Sequence, residues 1–343
     1  MSADRMNLVE ATESAARAAK LLPTVGSEDR RDLLVAPDLE VGAEEAAAQD
    51  SPENPLGWTL YLQFSEPGGV LGRLLGRLSS KPGSVSVREI LDRLTYDWRW
   101  NRNRPDIYGR KAGAPWIHLA ECAETEDFSE LAVTWSLIDD RQGWQIPTAA
   151  TLDRFRQEIE EELEPLGAKV VAQPVSSQYA AEEVPKQFQD ASRTLLIVVQ
   201  APDDRDFDGR DIWDVMLSLG LEWGDMDLFH WNNPKDVGDD RLFSVWTTTD
   251  PGYFLPEVIA AGELTTTDLV FEMSIPRCPA AEPVFESMLK AAAYAQERLG
   301  GILVDRKRQP FDQAAARAEL QEGIACLRRL GIEPGSDRAL KLF

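Results

Sequence analysis

The sequence has few of the residues that build disulfides, metal centres and nucleophile–base pairs, with three cysteines and two histidines among 343 residues. Cys122, Cys278 and Cys326 are odd in number and widely spaced. This suits neither a disulfide framework nor paired metal ligands, so we expect small buried side chains in a reducing cytoplasm. His118 and His230 have no cysteine or carboxylate at metal-ligand spacing, so we expect structural or surface roles. The sequence therefore predicts no metal and no cofactor.

Basic residues and long apolar runs are also scarce. The chain has 36 Lys and Arg against 59 Asp and Glu, which gives a formal net charge of −23. Because nucleic-acid phosphates and anionic lipid headgroups attract basic surfaces, this charge argues against either as a partner. No stretch of about 20 uninterrupted apolar residues occurs, and the N-terminal residues lack an apolar run of signal-peptide length. We therefore expect a cytoplasmic protein without a direct membrane span.

Catalytic motifs are missing too. Gly68, Gly69 and Gly72 are not followed by the Lys-Ser/Thr pair that a phosphate-binding loop requires. The carboxylates of residues 160–162 lie off the apolar side of their predicted helix, which favours a solvated face. We expect that the protein is not an enzyme.

Length and composition predict two folded units. A chain of 343 residues with 43% hydrophobic residues is long enough for two domains of roughly 150 residues. We predict an acidic, disordered leader over residues 1–55 with a helical stretch over 4–22, a first unit over 56–175 and a second unit over 190–332. In the first unit we favour core packing over an aromatic binding surface for five tryptophans: Trp58, Trp98, Trp100, Trp116 and Trp135.

The first strand of each unit indicates which faces of its sheet are apolar. In TLYLQF (59–64) the apolar side chains occupy one face and Thr, Tyr and Gln the other, which can face water. In TLLIVVQ (194–200) both faces are apolar, because Leu196 and Val198 point away from the core that their neighbours enter. The second sheet therefore needs a cover on its other face.

The two units repeat the same order of elements: strand, helix, strands, helix, strand. The junctions 166–171 and 299–304 each place glycine where a helix gives way to a strand. Short strands with two helices per unit predict an α+β fold of tandem split-βαβ-like units, each a mostly antiparallel sheet with helices packed on one face. We interpret the halves as a divergent internal duplication.

On this placement, one face of the second sheet points away from the helices and is largely apolar. An apolar patch of that extent usually marks an interaction surface. The outward residues are Thr194, Leu196, Val198, Met226, Leu228, Trp246, Thr248, Val270 and Glu272.

Three segments of the second unit resemble the C-terminal domain family of the bacterial division protein ZipA. They are GDMDLFH (224–230), LFSVWTTTDPGYFLPE (242–257) and LGGILVDRKRQP (299–310), and the resemblance spans about 194–331. It implies a half-open sheet backed by helices, whose uncovered face binds the C-terminal tail of FtsZ in a shallow apolar groove. It also implies a role in cell division at the septum. Position by position, the groove would comprise the nine outward residues together with Asp250.

Four of these positions differ from the family's groove. Glu272 stands where the family has an aromatic floor, and Asp250 stands where it has Lys. Trp246 replaces a small residue, and Thr248 replaces Met. Because carboxylates are added, we expect a partner segment that carries Lys or Arg.

Binding energy at such a face should concentrate in a few apolar side chains. We expect these to be Leu196, Val198, Met226, Leu228, Trp246 and Val270. The alternative is that the apolar face packs against the first unit or a second copy. The chain would then be a two-domain scaffold or a homodimer whose partner is a different protein.

Overall fold

The computed structural model describes residues 33–34, 37, 52, 54–65, 83–94, 105–138, 147–235 and 237–343. The predicted helix over 4–22, the glycines between 68 and 72, and Trp98 and Trp100 lie outside these ranges. Within the predicted leader, Leu34 is buried in the core. No helix in the described ranges is long and apolar enough to cross a bilayer.

The first half of the chain contains seven strands and three helices in its described part. In chain order they are β1 (Gly57–Phe64), β2 (Val85–Ser86), α1 (Val87–Leu94), β3 (Asp106–Arg110), β4 (Ile117–His118), β5 (Asp127–Phe128), β6 (Glu130–Ser136), α2 (Ala149–Leu163), β7 (Ala168–Ala172) and α3 (Ser177–Ala191). Five strands form the first sheet in the order β4-β3-β6-β1-β7, and β2 pairs separately with β5. All of these pairs are antiparallel.

The second half follows the same plan. Its elements are β8 (Thr194–Gln200), β9 (Phe207–Asp208), α4 (Gly209–Ser218), β10 (Glu222–Gly224), β11 (Leu228–Asn232), β12 (Arg241–Trp246), α5 (Pro256–Ala261), β13 (Thr265–Thr266), β14 (Asp268–Ser274), α6 (Ala281–Leu299), β15 (Ile302–Val304), α7 (Gln313–Arg329) and α8 (Asp337–Leu342). Six strands form the second sheet in the order β10-β11-β12-β14-β8-β15, and β13 pairs with β9.

Four neighbouring strands have the same order in the two sheets, because β12-β14-β8-β15 corresponds strand by strand to β3-β6-β1-β7. The outer strands differ, since β4 follows β3 in the chain whereas β11 precedes β12. Both halves also contain a separate pair of two-residue strands. One strand directly precedes the first helix and the other precedes β6 or β14, so that β2 pairs with β5 and β9 pairs with β13. The predicted α+β fold with mostly antiparallel sheets is confirmed, and the repeat of element order extends to four neighbouring strands of each sheet.

Helix boundaries follow local capping chemistry. Ser86 precedes α1, and the Glu89 carboxylate accepts a hydrogen bond from the Ser86 N–H at 3.1 Å, which is one half of a capping box. The Asp208 carboxylate accepts from the Arg210 N–H at 2.8 Å and so caps α4. Gly300 ends α6 with φ 76°, a left-handed conformation that glycine adopts without a steric penalty.

Apolar side chains of the helices and of one sheet face form the core. Trp58 and Trp135 are fully buried, as predicted, with ring centroids 5.3 Å apart. The α2 residues at helical spacing, Leu152, Phe155 and Ile159, are buried against them. The helices therefore cover one face of each sheet.

The opposite face of the first sheet is less open than its alternation predicted. Gln63 is exposed, but Thr59 is buried and its hydroxyl donates to the Pro52 carbonyl at 3.0 Å. Tyr61 is half-buried because its ring lies 5.7 Å from that of Trp116. A ring from the loop before β4 thus covers part of a face that was expected to meet water.

Helices α3 and α7 join the two halves. The Phe188 and Phe343 rings stack with centroids 4.5 Å apart, and the Arg193 guanidinium pairs with Glu322 on α7 at 2.9 Å. Arg338 on α8 donates to the Asn54 side chain ahead of β1 at 2.7 Å. These contacts lie on the helices and not on the outward face of the second sheet.

Candidate functional site

The outward face of the second sheet carries one apolar row that crosses five strands. The register aligns Val304 with Val198, Val198 with Val270, and Val270 with Trp246. Extending the β11–β12 register by one residue places Leu228 beside Trp246. We call this row, Val304, Val198, Val270, Trp246 and Leu228, the apolar stripe.

The apolar stripe has a covered floor and partly exposed ends. Val198, Val270 and Val304 form a hydrophobic cluster separate from the main core, with Leu196 and Trp246 packed against it. The side chains of Val198 and Val270 are only 3% and 1% exposed. Leu196, Leu228 and Trp246 are half-buried. A partner would therefore touch mainly the half-buried side chains, with the valines as support.

Trp246 is held in place by Glu272. The indole Nε1–H donates to Glu272 Oε2 at 2.7 Å, and Glu272 lies two residues beyond Val270 on the neighbouring strand β14. This hydrogen bond holds the Trp246 side chain in one rotamer. The ring consequently stays packed on the valine cluster.

A polar row borders the apolar stripe on the side of Glu272. In it, Ser244 pairs with Glu272 and His230 pairs with Ser244. The His230 Nε2 lies 2.9 Å from the Asp225 carbonyl, which can only accept, so Nε2 carries the proton and Nδ1 accepts from the Ser244 hydroxyl at 2.8 Å. Burial lowers the pKa of His230, although the Asp225 carbonyl opposes this.

A second polar group borders the other side. The Asp268 carboxylate, fully buried, accepts from the Thr247 hydroxyl at 3.0 Å and from the Thr248 N–H at 2.7 Å. Arg308, in the turn after β15, pairs with the same carboxylate. Burial raises the pKa of Asp268, but the bonds from Thr248 and Arg308 outweigh it, so the pKa lies below its usual value.

Met226 departs from its expected place. The sequence analysis placed it among the outward residues of the sheet, but it lies in a 3-10 turn over 225–227 between β10 and β11. Met226 and Asp227 have φ of 59° and 58°, a left-handed pair that alternation of side chains does not reveal. Met226 is 72% exposed at this turn, next to the Leu228 end of the apolar stripe.

The remaining predicted residues lie around the apolar stripe. Thr248 and Asp250 fall beyond the end of β12, and both are exposed. Thr194 is exposed at the start of β8, and Glu272 is half-buried on β14. The sequence analysis did not include Val304 among the outward residues; it joins them because β15 pairs with β8.

Comparison with known proteins finds a family match in the second half. Residues 193–322 match the family model described as ZipA, C-terminal FtsZ-binding domain. The resemblance of the second half to this domain is confirmed. The match covers β8 to β15 and the start of α7, and so contains the whole apolar stripe.

Curated relatives agree with the family match. Cell division protein ZipA of Marinobacter nauticus is 35% identical over 119 residues, 35% of this chain and 35% of the relative. Cell division protein ZipA of Shewanella denitrificans is 29% identical over 142 residues, 41% of each chain. That of Shewanella sp. strain ANA-3 is 24% identical over 214 residues, 62% of this chain and 56% of the relative. The chain spans between 35% and 56% of the length of these ZipA proteins.

Proposed function

We propose that the apolar stripe binds the C-terminal tail of FtsZ, or a similar peptide, and that the protein is a non-enzymatic adaptor of cell division. On this proposal the protein acts in the cytoplasm and is recruited to the division septum. The ZipA family match over the second half supports the partner. The proposed division into an acidic leader and two units, 56–175 and 190–332, assigns this binding to the second unit.

The observation that carries the proposal is the apolar stripe itself. Strands lie about 4.8 Å apart, so five strands give an apolar row roughly 19 Å long. That length suits about six extended residues at 3.3 Å each or about 13 helical residues at 1.5 Å each. A short peptide segment is therefore the natural size of occupant.

The energy of such contact is adequate for specific binding. If peptide and protein together buried about 400 Å² of apolar area, about 25 cal/mol per Å² would give roughly 10 kcal/mol. Association and ordering of the peptide consume several kcal/mol of this, which leaves an affinity in the micromolar range. Trp246, held by Glu272, is the largest anchor and needs no new ordering on binding.

The experiment is a calorimetric titration with a synthetic FtsZ C-terminal tail peptide from the same organism. Met226→Glu places a charge beside the apolar stripe at a position that is 72% exposed, so the fold should tolerate it. We expect at least about a tenfold loss of affinity, or roughly 1.4 kcal/mol.

Leu217→Glu is the matched control. Leu217 is a second exposed apolar residue, on α4, which packs with α6 on the helical side of the same sheet. Its change should leave the affinity as it is. Equal losses in both variants, or no loss in Met226→Glu, would contradict binding at this face.

The alternative is a scaffold or homodimer in which the apolar stripe is covered. The contacts between the halves run through α3 and α7, which favours the peptide over the first unit as occupant. Analytical ultracentrifugation tests whether a second copy of the chain covers the apolar stripe. A dimer that Trp246→Ala dissociates would favour the homodimer, and a monomer that binds the tail would favour the adaptor.

A further inference from the structure

The charge beside the apolar stripe points to a particular kind of partner side chain. Glu272 lies on the outward face between Leu196 of β8 and Ser244 of β12. It is two residues along β14 from Val270, or roughly 6.6 Å. Its carboxylate is therefore within reach of a long side chain of any peptide that lies along the apolar stripe.

Glu272 uses one oxygen to hold Trp246. Among the described residues no cation pairs with it. The Trp246 indole N–H donates to Oε2. The cross-strand neighbour of Glu272 is Ser244, whose hydroxyl lies 2.8 Å from His230 Nδ1. Within the described ranges this half-buried carboxylate therefore receives one neutral donor, the Trp246 indole N–H, beside apolar surface.

The neighbouring cations are already neutralised. Arg308 pairs with the buried Asp268, and Arg241 pairs with Asp225 at 2.6 Å. The exposed Arg306 and Lys307 follow β15, which is two strands, or roughly 10 Å, from β14. That distance is about one Debye length at physiological ionic strength, so their effect on Glu272 is weak.

The Leu228 end of the apolar stripe is acidic as well. Burial raises the pKa of Asp227, and the carboxylates of Glu257 and Asp225 raise it further. The Leu228 end of the apolar stripe is therefore acidic in its own right, two strands from Glu272. In the part of the chain that the structure describes, it offers no cation that would compete with a partner for Glu272.

We propose that the occupant of the apolar stripe is a peptide that carries a Lys or Arg at the position facing Glu272. This rests on the proposed function, because it names the chemistry of the peptide at the same face. Glu272 then has two tasks, since one oxygen positions Trp246 and the other pairs with the cation of the partner. The apolar side chains supply affinity, and the ion pair selects the sequence and its register.

The test is a double-mutant cycle. The probes are the FtsZ tail peptide and variants of it in which each Lys or Arg is replaced in turn by norleucine, which keeps the chain and removes the charge. The proteins are the wild type and Glu272→Gln, whose side-chain carbonyl can still accept from the Trp246 indole. Circular dichroism and thermal unfolding should be unchanged in Glu272→Gln.

We expect one norleucine peptide to bind the wild type about two- to fivefold more weakly than the parent, as for a partly exposed ion pair. The difference should disappear in Glu272→Gln and shrink at high salt. If the parent peptide binds but no replacement couples to Glu272→Gln, the inference is wrong and the proposed function stands. If the parent peptide fails to bind the wild type, the proposed function is wrong.

Discussion

The buried carboxylate of Asp268 ties the start of strand β14 to the turn after β15. It accepts from the Thr247 hydroxyl, from the Thr248 N–H and from Arg308. Because its folded pKa is depressed, its contribution to stability is present above the unfolded pKa, about 3.9. That contribution is lost as the pH falls through the folded value.

Asp268→Asn should lower the free energy of unfolding by about 2–4 kcal/mol. Whichever way the new amide turns, its NH2 faces one group that can only donate, either the Thr248 N–H or the Arg308 guanidinium, and that donor loses its acceptor. Urea denaturation measures the change. Asp250→Asn, an exposed carboxylate nearby, is the control and should stay within about 0.5 kcal/mol. Equal stability of Asp268→Asn and the wild type would contradict the role of this carboxylate.

His230 should make the protein less stable in mild acid. Its folded pKa is lowered by burial, so the unfolded chain binds a proton more readily. Stability is therefore full above about pH 6.5 and falls as the pH drops below that value toward the folded pKa.

His230→Gln should flatten this slope in urea denaturation between about pH 7.5 and 5.5. His118→Gln, at the other histidine, is the control and should retain the slope that His230 contributes. An unchanged slope in His230→Gln would show that the loss of stability arises elsewhere.

At the scale of elements, strand β15 forms one end of the apolar stripe, because it pairs with β8 and carries Val304. Gly301 lies ahead of it, and a Cβ there would come 2.7 Å from the Gln200 carbonyl oxygen. That oxygen is backbone and cannot move aside without disturbing β8.

Gly301→Ala should therefore cost about 1–3 kcal/mol of stability and weaken tail binding as well. Thermal unfolding and the calorimetric titration measure the two effects. Arg306→Ala, exposed in the next turn, should change stability by less than about 0.5 kcal/mol. A Gly301→Ala variant as stable as the wild type would mean that β15 can shift at no cost.

Most of the second sheet could be predicted from side-chain periodicity. The alternation in β8, β12 and β14 and the helical spacing in α6 and α7 are strong enough to place these elements within two or three residues. The same alternation also predicts that Leu196, Val198 and Val270 lie on the outward face of the sheet.

Two features escaped the pattern for physical reasons. Helix α3 has Pro185 inside it, a residue that usually ends or kinks a helix, and it buries mainly small residues such as Ala180 and Ala191. Met226 lies in a turn with left-handed backbone and no glycine, and turn conformation of this kind leaves no trace in hydrophobic order. The division into an acidic leader over 1–55 and units over 56–175 and 190–332 remains a prediction.

For the whole molecule, α3 and α7 set the position of the two sheets relative to one another. Phe188→Ala would remove the ring stacked on Phe343 at 4.5 Å. We expect a loss of about 1–3 kcal/mol from a half-buried aromatic. Tail affinity should stay the same, because these contacts lie away from the apolar stripe.

Lys186→Ala, an exposed change on the same helix, is the control for this prediction and should stay within about 0.5 kcal/mol. Thermal unfolding together with the titration gives both quantities. A loss of tail affinity in Phe188→Ala would mean that the first half shapes the binding face.

The most direct measurement of the central claim is the NMR signal of the Trp246 indole N–H during titration with the FtsZ tail peptide. Trp246→Phe assigns the signal, and the buried Trp58 and Trp135 of the first sheet are internal references. Because this N–H is bonded to Glu272 beside the apolar stripe, we predict that its signal shifts in proportion to occupancy while the two references stay in place. A peptide that binds without moving the Trp246 signal would contradict binding at the apolar stripe.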